Sequence, residues 1–186
     1  GLDNLQEAWE RAKKEDKRII FTPRHEADFD NPTFRYILRA RGYSDILDNT
    51  LWVAGVNMQK RLFFRIFMRA EHVVYIATPA DIADVDKVLE REDLNDNTKE
   101  GLVKTKETFL RMNKIAREKI KASAKRGENL VLYPEAGRSY DGFMKRAPRQ
   151  VGVYIPTNED NAAIMVPLRM FGSKEINPPN RMINLD

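Results

Sequence analysis

The chain has 186 residues, room for one domain with a proper core, and its 42% hydrophobic and 32% charged content is that of a soluble globular protein, not of a repeat, a coiled coil or a disordered tail. A net charge of +4 favours acidic partners such as anionic lipid, coenzyme phosphates or an acidic carrier protein; nucleic acid is disfavoured because no recognised binding motif appears. With no cysteine and two histidines, disulfides and thiolate metal sites are excluded and no metal is expected.

Leu2, Leu5, Ala8, Trp9 and Ala12 recur at helical spacing and predict an amphipathic helix over about residues 3–16, either a docking helix or a cover for a sheet. The apolar run Arg18-Ile-Ile-Phe-Thr22 predicts a buried strand at 18–22. Asn31-Pro32 has the form of an N-cap followed by proline at the first helical position, so a helix is expected over 32–40 with Asp30 just ahead of it. Further strands are expected at 51–56 and 73–77, separated by a basic helix at 58–69. Helical patterns follow at 79–91 and 98–126, the second rich in lysine and preceded by the turn and cap signal Asp96-Asn97. A strand at 130–133, an apolar stretch at 151–155 that fits helix or strand, and a last strand at 163–168 complete the chain. Strands alternating with helices predict a single α/β domain spanning 1–186, with a mostly parallel sheet covered by helices on both faces.

Two loops at predicted strand ends carry the chemistry, and open α/β sheets place their reactive groups at the strands' carboxyl ends. In the first, Thr22-Pro-Arg-His25-Glu-Ala-Asp-Phe-Asp30, a histidine stands five residues before an aspartate. A neutral imidazole takes a proton from an alcohol near neutral pH when a neighbour fixes its tautomer, and Asp30 folded back against His25 would be that neighbour. Taken alone, the pair reads equally well as a loop histidine beside a polar helix start. In the second loop, Tyr133-Pro-Glu135-Ala-Gly137-Arg138-Ser139, Arg138 offers a planar fork suited to phosphate and Gly137 allows close backbone approach to a ligand. A surface ion pair between Glu135 and Arg138 is the plain alternative. Ser139 beside His25 would suggest a hydrolase, but its flanking residues do not form a nucleophile elbow.

Together these segments resemble the glycerolipid acyltransferases, the family of glycerol-3-phosphate and 1-acylglycerol-3-phosphate acyltransferases. His25 to Asp30 matches that family's first motif, His, four residues, Asp. Tyr133 to Ser139 is similar to its third motif, with Ala136 in place of a glycine; Gly142-Phe143-Met144-Lys145 and Ile164-Met-Val-Pro-Leu168 are similar to the stretches that follow. The resemblance covers about residues 18–172. It implies that His25, oriented by Asp30, is a general base that lets an acceptor hydroxyl attack an acyl thioester with no acyl-enzyme. Glu135, Gly137, Arg138 and Ser139 would then hold the acceptor's phosphate and glycerol hydroxyls. Thr78 stands where the second motif usually has an arginine, leaving Lys60, Arg61 or Lys145 to meet the phosphate. The implied donor is acyl-CoA or acyl carrier protein, a substrate and not a bound cofactor, and the implied acceptor is lysophosphatidate or glycerol-3-phosphate. The same chemistry on another lysolipid, alcohol or amine, and a non-catalytic lipid-binding homologue, are the alternatives.

No stretch approaches the ~18 consecutive apolar residues of a spanning helix, so membrane contact is expected to be peripheral, at a cytoplasmic face. In the segment 58–69, Arg61, Arg65 and Arg69 recur every four residues with Phe64 and Phe67 between them. That pattern suits a helix lying among lipid headgroups, and equally a core helix with a solvated arginine stripe. The chain starts with Gly1 and ends abruptly at Asp186, so the native protein is expected to extend further and to carry any anchor outside this stretch.

Overall fold

A computed structural model describes residues 2–24, 30–60, 72–135, 152 and 163–169. Helix α1 (Leu2–Lys14) leads to strand β1 (Arg18–Pro23), helices α2 (Asp30–Ala40) and α3 (Ser44–Asp48), and strand β2 (Thr50–Gly55). A 3-10 helix (Val56–Lys60), strand β3 (Val73–Ile76), helices α4 (Pro79–Leu89) and α5 (Asp96–Lys125), and strands β4 (Asn129–Val131) and β5 (Ala163–Leu168) follow. The strands form one all-parallel sheet in the order β3-β2-β4-β1-β5, the α/β architecture expected from the alternation of elements. By its contacts the chain divides into two compact units, Gly1–Leu51 with Ser123–Asp186, and Trp52–Ala122.

In the first unit β1 is the central strand. It pairs on one side with β4 (Ile20 opposite Leu130) and on the other with β5, from Arg18 opposite Ala163 to Pro23 opposite Leu168. Ile19, Ile20 and Phe21 are fully buried, as the unbroken apolar run requires of a parallel strand covered on both sides. The Phe21 and Phe34 rings meet edge to face, 5.4 Å apart, and fasten α2 to β1. Asn129 fixes the register at the amino ends: its backbone N–H donates to the Asn49 carbonyl at 2.8 Å, and its Oδ1 accepts from the Ile19 N–H at 2.8 Å. Pro167 stands in β5, an edge strand among the described residues, where a missing N–H costs nothing in the ladder with β1.

In the second unit β2 and β3 pair in parallel, Trp52 opposite Val73, and Trp52, Val74, Ala77, Ala116 and Ile120 are buried. Asn113 of α5 receives the Ala77 N–H on its Oδ1 at 2.8 Å and donates Nδ2 to the Ala77 carbonyl at 2.9 Å. Both backbone groups of a buried strand end are thereby satisfied by one side chain.

Three helix ends are alike. After α1, α2 and α5 the chain turns through a residue with positive φ, Asp16 (50°), Gly42 (81°) and Gly127 (71°). Each turn is closed by the paired bonds of a Schellman motif, for example Glu128 N–H to Ser123 O and Gly127 N–H to Ala124 O, both 3.1 Å. The starts differ from expectation in two places. Helix α2 begins at Asp30, not Pro32; an acidic residue suits the positive end of a helix, and a proline in the first turn forfeits no intrahelical bond. Helix α5 is capped by Asn95, whose Oδ1 accepts from the Thr98 N–H at 2.8 Å, instead of by Asp96-Asn97. Helix α3 has only five residues and was not expected from periodicity. The predicted 58–69 helix lies outside the described residues beyond Lys60, which ends the 3-10 helix, and of 151–155 only Gly152 is described. Among the described residues no helix is long and apolar enough to cross a membrane.

Candidate functional site

The site belongs to the first unit and is built where β1 and β4 end. Past Pro23 the backbone of Arg24 stays in the sheet, its N–H donating to the Leu168 carbonyl at 2.9 Å. The ladder between β4 and β1 likewise continues one residue past β4, with Leu132 N–H on the Phe21 carbonyl at 3.0 Å. The two chains therefore leave adjacent parallel strands at the same end, one toward Asp30 and one into the Tyr133-Pro134-Glu135 turn.

Their side chains meet there. Arg24 Nε lies 3.9 Å from Glu135 Oε1, and the two side chains are 13% and 3% exposed. Glu135 is thus a carboxylate withdrawn from water and held against a guanidinium. Asp30 is fully buried in the first turn of α2, where the helix's positive end favours its charge. The phenol of Tyr133 donates to Asn31 Oδ1 at 3.3 Å. Burial, and then the nearby Asp30 carboxylate, push the Tyr133 hydroxyl well above the ordinary tyrosine range, so it remains a neutral donor at any physiological pH. Two sets of contacts thus join the loops after β1 and β4, Arg24 with Glu135 and Tyr133 with Asn31 and Asp30.

Of the residues singled out from sequence, Asp30 and Glu135 are brought to the same sheet end. His25, Gly137, Arg138, Ser139, Lys145, Arg61, Phe64, Arg65, Phe67 and Arg69 lie outside the described residues, and so does the side chain of Lys60, which falls in the second unit. The Glu135 carboxylate is buried beside Arg24, while Arg138, the partner weighed for it from sequence, lies outside the described residues. Arg24, Asn31 and Tyr133 were not expected as site residues. Arg24 had a signal, its position one residue past a strand end and one before His25; the Tyr133 hydroxyl had none, because an aromatic residue ending a strand is ordinary core material.

Thr78, found where an arginine was expected, has a structural occupation in the second unit. Its hydroxyl accepts from the Asp81 N–H at 3.2 Å while Asp81 Oδ2 accepts from the Thr78 N–H at 2.7 Å. This reciprocal capping box, with Pro79 at the first helical position, starts α4.

No known family model matches the chain, and a search of curated proteins finds no match either.

Proposed function

We propose that the chain is an O-acyltransferase of phospholipid synthesis, moving a fatty acyl group from a coenzyme A or carrier-protein thioester to a hydroxyl of lysophosphatidate or glycerol-3-phosphate. The observation that carries the reading is the meeting of Arg24 and Glu135. The residue next to His25 and the carboxylate of the Tyr-Pro-Glu segment, 111 positions apart, share one buried ion pair at the carboxyl ends of adjacent parallel strands. Asp30, last residue of the His-x4-Asp segment, is buried at the same sheet end, beside Tyr133. The two motifs have the order and chemistry of the glycerolipid acyltransferases that the sequence resembles.

On this reading His25 removes the proton from the acceptor hydroxyl as its oxygen attacks the thioester carbonyl carbon. The imidazolium that forms is offset by the Asp30 carboxylate. The tetrahedral intermediate collapses with cleavage of the carbon–sulfur bond, and the proton on His25 passes to the departing thiolate. Acyl ester and free thiol are the products, and the transfer as written needs no cofactor. Arg138 and Lys145 bind the acceptor phosphate, with Glu135 and Ser139 on the glycerol hydroxyls, and the Gly137 backbone approaches the ligand. The reaction takes place at a membrane surface, which the chain meets peripherally on the cytoplasmic side through Arg61, Phe64, Arg65, Phe67 and Arg69.

The test is transfer from palmitoyl-CoA, and from palmitoyl carrier protein, to glycerol-3-phosphate, lysophosphatidate and lysophosphatidylcholine, with His25→Ala alongside. Transfer to a phosphate acceptor, abolished in the folded variant, is the expected result. Transfer to lysophosphatidylcholine alone would move the acceptor to another lysolipid. Undiminished transfer in the variant would remove His25 from the chemistry, and silence with both donors would leave a lipid-binding homologue.

A further inference from the structure

Strand β3 is the last strand of the sheet, and its outer edge has no partner strand among the described residues. Beside it lies a groove of about 380 Å³ formed by β3 and α5. Three successive strand residues, Val73, Val74 and Tyr75, line this groove. The groove therefore follows this outermost described strand along its length.

The opposite wall is amphipathic. Arg111, Ile115 and Lys119, each four residues from the next on α5, line it in sequence. Ile115 is 47% exposed, unusual for a large apolar side chain on a helix that buries Ala116 next to it. Neither Arg111 nor Lys119 makes an ion pair among the described residues. The groove thus offers backbone hydrogen-bonding groups that have no partner strand among the described residues on one side, and a cation, an apolar contact and a second cation on the other.

The pitches match. Four residues of α-helix advance ~6 Å, and two residues of extended strand advance ~6.6 Å. An added strand would therefore present a residue to Arg111, Ile115 and Lys119 in turn at its positions i, i+2 and i+4, all on one face. We propose that the open edge of β3, facing the Arg111–Ile115–Lys119 row of α5, receives an extended segment of a partner protein with the pattern acidic-x-apolar-x-acidic. Backbone hydrogen bonds to β3 supply affinity, and the two carboxylates and the apolar residue between them supply register. A single-chain anionic lipid would use the cations and Ile115 but has no use for a strand edge, so the observations favour the peptide. The inference concerns the second unit and does not depend on the acyltransferase reading.

The experiment uses the full 186-residue chain and a fluorescein-labelled peptide, Thr-Glu-Thr-Val-Thr-Glu-Thr, followed by fluorescence anisotropy. Saturable binding is expected, weakened at least about tenfold by Arg111→Glu with Lys119→Glu. A peptide N-methylated at the residues whose N–H groups face the protein should lose binding to a similar degree. Circular dichroism of the double variant checks that both charge reversals are carried by folded protein. Absence of saturation up to about 1 mM peptide overturns the proposal. Equal binding of the N-methylated peptide overturns strand addition and leaves only charge attraction. Binding of monomeric dodecyl phosphate, lost in the double variant and without peptide binding, makes the groove a lipid site and overturns the proposal as well.

Discussion

Replacing Arg18 with methionine should make the protein more stable. Arg18 opens β1 with only 4% of its surface exposed, so its guanidinium has left water. What it receives in return is one long hydrogen bond, Nη1 to the Glu128 carbonyl at 3.4 Å. Nε and Nη2 are buried and have no hydrogen-bond partner among the described residues. Burial accordingly lowers the Arg18 pKa from its ordinary value. A buried polar group without a partner costs about 1–3 kcal/mol by mutational measures, and exchanging buried charges for apolar groups of similar volume is often worth about 1–4 kcal/mol. Methionine keeps the unbranched stem and removes the charge, so a gain of about 1–3 kcal/mol is expected, which for this chain length raises Tm by roughly 2–10 °C. Because the folded pKa is depressed below the unfolded one, the charged form is the disfavoured form in the fold. The penalty is therefore present throughout the pH range below the folded pKa and is relieved only as pH rises through it. The gain in Arg18→Met should accordingly be the same from about pH 5 to pH 9. Urea unfolding of both proteins across that range is the assay. A loss of 1 kcal/mol or more in the variant would refute the reasoning, because it would mean that the guanidinium is held by interactions stronger than the single contact to Glu128.

The Schellman turns allow a paired comparison. Asp16 holds φ at 50°, so Asp16→Gly should stabilise by about 0.5–1 kcal/mol; Gly127 holds φ at 71° with open space around its would-be Cβ, so Gly127→Ala should cost about 1 kcal/mol from backbone conformation alone. Thermal unfolding of the two variants checks the opposite signs, and a shared sign would discard the argument. Asn113→Leu leaves both backbone groups of buried Ala77 without their partner and should cost about 2–5 kcal/mol, read by urea unfolding; a cost below about 1 kcal/mol would show that water or another group replaces the clamp. Arg138→Ala should raise the acceptor's KM at least about tenfold while sparing the donor's, measured by initial rates; an equal effect on both would move Arg138 out of the acceptor site.

Strands and long helices were readable because burial imposes a period. The last strand occupies the expected residues 163–168, and the unbroken run Ile19-Ile20-Phe21 could only be covered on both faces. Caps were read less well, because Asn95, Asp96 and Asn97 are chemically near-equivalent and only backbone geometry selects Asn95. The meeting of the two motif loops was expected, but the particular side-chain contacts across the chain were not. Nothing in the sequence links Arg24 to Glu135, since an ion pair imposes no period on the residues between. Asn113 is equally silent, one polar residue in a lysine-rich helix until Ala77 is seen beside it. Thr78, which stands where the resembled motif has an arginine, caps a helix, a role that was not read from sequence.

The strand order has a consequence for how the protein is made. Both neighbours of β1 in the sheet, β4 and β5, are translated more than a hundred residues after it. A chain emerging from the ribosome therefore carries Ile19, Ile20 and Phe21 with both strand edges bare until Asn129–Val131 arrives, and with one edge bare until Ala163–Leu168 does. The stretch Trp52–Ala122 has no such delay, since β2, β3, α4 and α5 are contiguous and can meet as they appear. Nascent chains stopped before residue 163 should thus be prone to strand-to-strand aggregation through β1, and that tendency should fall once Ala163–Leu168 is released.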